Sequence, residues 1–228
     1  VYINVEPVKN PASGADAVTG REAPQSAELE KLLGQGQAGN ADARPAVSAR
    51  PFIPEDPLNI KDEVEFKGEI KEAQGIRDEA EQTVTAIMHD VLMGKSLVKE
   101  QVEKTVDKIV KSIFRNRDAI TSLARLKRYD AYTFTHCVNV SILSIALGRH
   151  LGLKREDLFK LGVGAILHDV GKMLIPEELL NKTGAYTEAE LNLMKRHSLL
   201  GADFLSAANF IALESVHVTG QHHERYDG

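Results

Sequence analysis

Residues 161–172 read Leu161-Gly162-Val163-Gly164-Ala165-Ile166-Leu167-His168-Asp169-Val170-Gly171-Lys172. Leu161, Ala165 and His168 recur at spacings of four and three, the repeat of one helix face. Lys154 to Asp169 therefore reads as a helix that aims His168 at a core and ends on a histidine–aspartate doublet. Gly171 permits a close turn directly after it, and Lys172 sets a cation beside the carboxylate. Adjacent side chains diverge by about 100° on a helix. At a helix end both can turn onto one ion, and a carboxylate can bridge two. Imidazole and carboxylate are the donors that hold divalent transition metals at nitrogen- and oxygen-rich sites.

A single doublet is weak evidence, because short motifs recur by chance. Its bland reading is a buried His beside a helix-terminal Asp, with a surface Lys. The weight comes from three further places. His136 shares a face with Val140, Leu143 and Leu147, so it is expected to point into the core. His197 heads a helix after Lys195-Arg196, and His222-His223-Glu224 follows the apolar segment Ile211 to Thr219. The groups at 136, 168, 197 and 222 are 25 to 32 residues apart, about a helix plus a connection. Each can sit on its own helix and point into a shared centre, which makes a hydrolytic metal site the first hypothesis. His89, His150 and His217 fall outside the pattern.

The rest of the chain supports an all-α fold. Of 228 residues 43% are hydrophobic but only 5% aromatic, with no Trp, so the core rests on Leu, Ile, Val and Ala. That favours helices over a β-sandwich. Helical spacing is expected over Lys61–Met93, ending near Gly94, then over Ser96–Arg115 and through Ile120, Leu123 and Leu126. Asp130–Leu151, Thr187–Arg196, His197–Ala207 and Ile211–Thr219 follow, and Thr187-Glu188-Ala189-Glu190 has capping-box spacing. The sum is seven to eight helices.

The net charge of −5 argues against a general binder of nucleic-acid polymers. It leaves room for a small nucleotide held by a metal and local cations. One cysteine, Cys137, and no apolar run of membrane-spanning length point to a reducing compartment, the cytoplasm. Residues 1–5 read as a strand already under way, the end of a clipped N-terminal domain. Residues 6–58, punctuated by Pro7, Pro11, Pro24, Pro45, Pro51, Pro54 and Pro57, read as a flexible linker. Residues 59–228 read as the helical domain, cut off at its C-terminus after the turn signal Tyr226-Asp227-Gly228.

His168-Asp169-Val170-Gly171-Lys172, then Ile175-Pro176, Leu180-Asn181-Lys182, Gly184, Thr187, Glu190, Lys195 and His197, resembles the HD-GYP subgroup of the HD superfamily of phosphohydrolases. His222-His223-Glu224-Arg225 with Asp227-Gly228 resembles that subgroup's second signature. The resemblance implies an HD-type helical bundle and a phosphodiesterase that opens cyclic di-GMP to pGpG and can go on to GMP. It implies two divalent ions, iron or manganese. His136, His168 and Asp169 would hold one, with Asp169 bridging; His197, His222 and His223 would hold the second. Lys172 would contact the scissile phosphate or the attacking water, with Arg225 as a further cation. Members with three metals carry a Glu one turn before the first His; Tyr132 stands there in this chain, which argues against a third ion. The Gly-Tyr-Pro loop and a later metal-binding Asp are expected beyond Gly228. The alternative is a module that binds cyclic di-GMP or a signalling partner without turnover, a role that the linker and the charged first helix would suit.

Overall fold

The computed structural model describes residues 62–124 and 132–225, all within one compact unit spanning 54–228. The strand expected at 1–5, the linker at 6–58 and the turn at 226–228 lie outside the described residues. Every regular element among the described residues is helical. Helix α1 spans Phe66–Leu92, α2 Lys99–Arg115, α3 Arg117–Ala124, α4 Tyr132–His150 and α5 Arg155–Leu167. A 3-10 turn at Val170–Leu174 and the one-turn α6, Glu177–Leu180, connect to α7 (Glu188–Lys195), α8 (His197–Ser206) and α9 (Leu213–Gln221). Setting the one-turn α6 aside, eight α-helices stand among the described residues, where seven to eight were expected.

The first two helices form where the spacing predicts. On α1 the buried positions Ala73, Ile76, Ala80, Val84, Ile87 and Val91 repeat every three or four residues. Gly94 follows at φ 73°, the left-handed conformation that suits a chain leaving a helix. On α2, Val102, Val106, Ile109, Val110 and Ile113 are each at most 1% exposed. A buried carboxylate locks the pair: Glu69 accepts from Ser112 Oγ at 2.7 Å and from Arg115 Nε and Nη2 at 2.7 and 2.8 Å. With its charge paired and its oxygens hydrogen-bonded, Glu69 is tolerated in the interior. Asn116 ends α2, and its Oδ1 accepts the Ala119 amide of α3 at 3.0 Å.

Helix α5 lies at the centre of the site-bearing half, packed against α4 on one side and α9 on another. The expected inward face of α4 is not the one buried. Cys137, Val138, Ser141, Ile142 and Ile145 are fully buried, while Leu143 and Leu147, which share a face with His136, are 47% and 58% exposed. The reason is compositional: α4 is apolar nearly all round, so periodicity does not select a face and contact with α5 does. His136 therefore reaches the site from the rim of α4, not from the core. Cys137 is packed away, and burial pushes its thiol up to about 12, which removes it as a nucleophile.

Candidate metal centre

Three helix ends meet at the site. His168 is the residue that closes α5, His222 the one that closes α9, and His197 follows the last turn of α7 by two residues. The last carbonyls of a helix have no amide partner inside it. Here a histidine fills that gap each time. His168 Nδ1 lies 2.7 Å from the Ala165 carbonyl, His197 Nδ1 2.7 Å from that of Met194, and His222 Nδ1 2.7 Å from that of Thr219. A carbonyl can only accept, so each Nδ1 carries the proton and each Nε2 is left with its lone pair. This is the orientation a metal-ligating imidazole needs. The negative ends of the α5 and α9 dipoles also favour a cation there.

Asp169 joins two groups of donors. Its Oδ2 lies 3.3 Å from His168 Nε2, and its Oδ1 lies 3.5 Å from His197 Nε2 and 3.7 Å from His222 Nε2. His136, His168 and Asp169 form one group, and His197, His222 and His223 the other; within each, the donor atoms lie within 4.8 Å of one another. Asp169, His168 and His197 are buried, and His222 and His223 lie nearer the surface. Six residues expected from the sequence are thus brought together, in the same two threes. His89, His150 and His217 are exposed and outside both.

The protonation states suit cations. Burial lowers His136, His197 and His223, and carries His222 down to about 4 against the upward pull of the Thr219 carbonyl. Burial would raise Asp169, but its contacts with His168 and with the Lys172 ammonium outweigh this and hold the carboxyl far below the usual range. Near neutral pH His136, His197, His222 and His223 are therefore neutral imidazoles around a carboxylate. His197 Nε2 stands 3.1 Å from His222 Nε2 and 3.2 Å from His223 Nε2. Neutral His197 and His222, each protonated on Nδ1, have no proton to share between their Nε2 atoms. Lone pairs that face one another at this distance repel unless a cation lies between them. The donor set fits divalent transition metals on that ground.

Lys172 Nζ donates to Asp169 Oδ2 at 2.7 Å, so the lysine is at the site through the carboxylate. Arg225 is exposed, two residues beyond His223. Tyr132 opens α4 one turn before His136; its side chain is outside the described residues.

The sequence concealed two features. The carbonyls that fix the ring tautomers are backbone atoms, without a residue-type signature. The second is how the chain after the doublet crosses α8. A Cβ on Gly171 would meet the His197 carbonyl oxygen at 1.9 Å and the Gly201 amide nitrogen at 2.6 Å. Only glycine admits this approach, and it brings Asp169 beside His197.

A helical bundle with a His-Asp doublet among further histidines defines a class of metal-site protein. Residues 133–228 match the HD domain family. The chain is 37% identical over 165 residues to a cyclic di-GMP phosphodiesterase of Pseudomonas aeruginosa, covering 72% of this chain and 40% of that protein. It is 38% identical over 117 residues to the cyclic di-GMP phosphodiesterase response regulator RpfG of Xanthomonas campestris, 50% of this chain and 31% of that one. A 3'3'-cGAMP-specific phosphodiesterase of Vibrio cholerae is 36% identical over 99 residues, 42% of this chain and 22% of that one. No solved structure matches. The chain carries an HD domain of the HD-GYP type. It spans well under half the length of these relatives.

Proposed function

We propose that the domain is a metal-dependent phosphodiesterase that hydrolyses cyclic di-GMP to pGpG or GMP, acting in the cytoplasm in second-messenger signalling. The observation that carries this reading is the split use of Asp169, one oxygen towards each histidine group. A carboxylate so placed could serve ions held by both groups. His136 and His168 would complete one set, and His197, His222 and His223 the other. Two divalent ions, iron or manganese, would supply a hydroxide at neutral pH and a Lewis-acid clamp on the phosphate oxygens.

The chain's own residues do the rest. Asp169 and the imidazoles hold donor atoms in fixed positions, because Nδ1 of three rings is tied to backbone. Lys172 is three residues beyond Asp169, on the turn that follows α5. Its ammonium can exchange the carboxylate for a phosphate oxygen and offset charge that builds during attack. Arg225 would add a second cation near the substrate. Retention of all six donors and Lys172 favours turnover over a purely binding role. No helix among the described residues is long and apolar enough to cross a membrane.

The test is hydrolysis in the intact protein. Purified anaerobically, it should hold two iron or manganese ions per chain and cleave cyclic di-GMP in preference to 3'3'-cGAMP. Metal-free protein after anaerobic purification would remove the reading. A preference for 3'3'-cGAMP would keep the chemistry and change the substrate.

A further inference from the structure

We propose that Thr219 is a positioning residue that sets the spacing of the two histidine groups, with its hydroxyl anchored on α5 and its carbonyl orienting His222. The inference rests on the two-ion reading above. Thr219 is fully buried on α9. Its carbonyl accepts from His222 Nδ1 at 2.7 Å, and its Oγ1 donates to the Gly164 carbonyl of α5 at 3.4 Å. Gly164 is four residues before His168. The Thr219 methyl stands 3.0 Å from where a Cβ on Gly201 would lie, so it rests on α8 one turn beyond His197. One side chain and its own carbonyl thus touch three elements that carry proposed ligands.

The direction of the hydroxyl is the second observation. A helical threonine commonly turns its hydroxyl back to the carbonyl four residues earlier. Thr83, Thr85, Thr105 and Thr121 all do so here, onto Glu79, Glu81, Gln101 and Arg117. Thr219 donates across to another helix instead. Ser215, one turn earlier, does the same, its Oγ donating to the Lys160 carbonyl at 2.7 Å. Between them Gly164 leaves no room: a Cβ there would meet Val218 Cβ at 2.6 Å and the Ser215 carbonyl at 2.7 Å. The two hydroxyls therefore fix how α9 is rotated and slid against α5. Thr219 does so at the turn that holds His222; Ser215 does so about two turns before the proposed ligands His222 and His168.

Gly164's carbonyl also belongs to the hydrogen-bond ladder of α5. Loss of the Thr219 hydroxyl therefore leaves no buried acceptor unpaired, and Thr219→Val keeps shape while removing the anchor. Ser215→Ala removes the neighbouring anchor and serves as the control. Manganese(II) is titrated into the metal-free intact protein. Free ion is followed by electron paramagnetic resonance, and the spin-coupled signal of a manganese pair is recorded at saturation. The parent protein should bind two ions with a coupled signal. Thr219→Val should weaken one of the two by about 10- to 100-fold, the scale for residues that orient metal ligands, and lose or alter the coupled signal. Ser215→Ala should bind both as the parent does. Unchanged binding and signal in Thr219→Val would overturn the inference, as would equal losses in both variants. A parent that takes up no manganese would overturn the two-ion reading and this inference with it. Should Thr219→Val not fold, Thr219→Ser decides: hydroxyl kept and methyl lost, it should bind both ions within about threefold of the parent, and a tenfold loss would overturn the assignment.

Discussion

Asp169 has two oxygens, and the site uses both. Oδ2 serves His168 and Lys172, and Oδ1 serves His197 and His222. In the two-ion reading no other residue can take both parts, so Asp169→Ala should abolish turnover and most metal binding. His150→Ala should leave both nearly intact, since that ring is exposed at the end of α4. Elemental analysis of the two folded variants checks this; comparable losses would undo the ligand assignment. Lys172 makes a finer case. Its ammonium pairs with Asp169 at 2.7 Å but, as a cation, cannot ligate a metal. Lys172→Ala in the intact protein should therefore keep its metals and slow hydrolysis by about 10² or more, the scale of one lost electrostatic stabiliser. Single-turnover cleavage with metal content measured in parallel separates this from a surface lysine, for which the rate would not move.

At the scale of elements, legibility in the sequence depended on where the information was stored. The start of α7 was readable because side chains encode it. Glu190's amide donates to Thr187 Oγ1 at 3.3 Å and Thr187's amide to Glu190 Oε2 at 2.7 Å, the reciprocal pair expected of a capping box. The six donors were readable because histidines stand out from an apolar background at helix-length intervals. The buried face of α4 was not, since Leu143 and Leu147 are as apolar as Ile142 and Ile145 and only packing against α5 separates them. The one-turn α6 and the 3-10 turn are too short to leave a period. Glycines carry the sharpest contrast. Gly171→Ala would drive a Cβ into the His197 carbonyl, so it should destabilise by about 1–3 kcal/mol, the scale of overpacking, and impair metal uptake. At Gly75, inside α1, a Cβ would meet nothing within 4 Å, and Gly75→Ala should stabilise by about 1 kcal/mol through helix propensity. Thermal melts of the two variants should shift in opposite directions; shifts of the same sign would contradict the close crossing of the 3-10 turn and α8.

For the molecule as a whole, the site is a cost that its ligands offset. The fold gathers imidazoles whose burial lowers them below the ordinary value of 6.5, His222 to about 4. Between those limits the unfolded chain binds more protons than the folded one. Stability then rises with pH across the window. The contribution is present above about 6.5 and is lost as pH falls towards 4. Asp169 acts elsewhere: its folded value lies below the ordinary 3.8, so its contribution fades only under that pH and does not mask the histidines. Metal-free protein should therefore melt at a lower temperature at pH 5 than at pH 7. Bound ions demand the same deprotonated rings and add stability in proportion to the logarithm of their concentration over the dissociation constant. Manganese should raise the melting temperature more at pH 7 than at pH 5. His222→Gln removes the most depressed ring and should flatten the pH dependence of the metal-free melt. A steeper dependence in that variant, or greater stability of the metal-free parent at pH 5, would mean that the rings are held charged by the carboxylate, not neutral by burial.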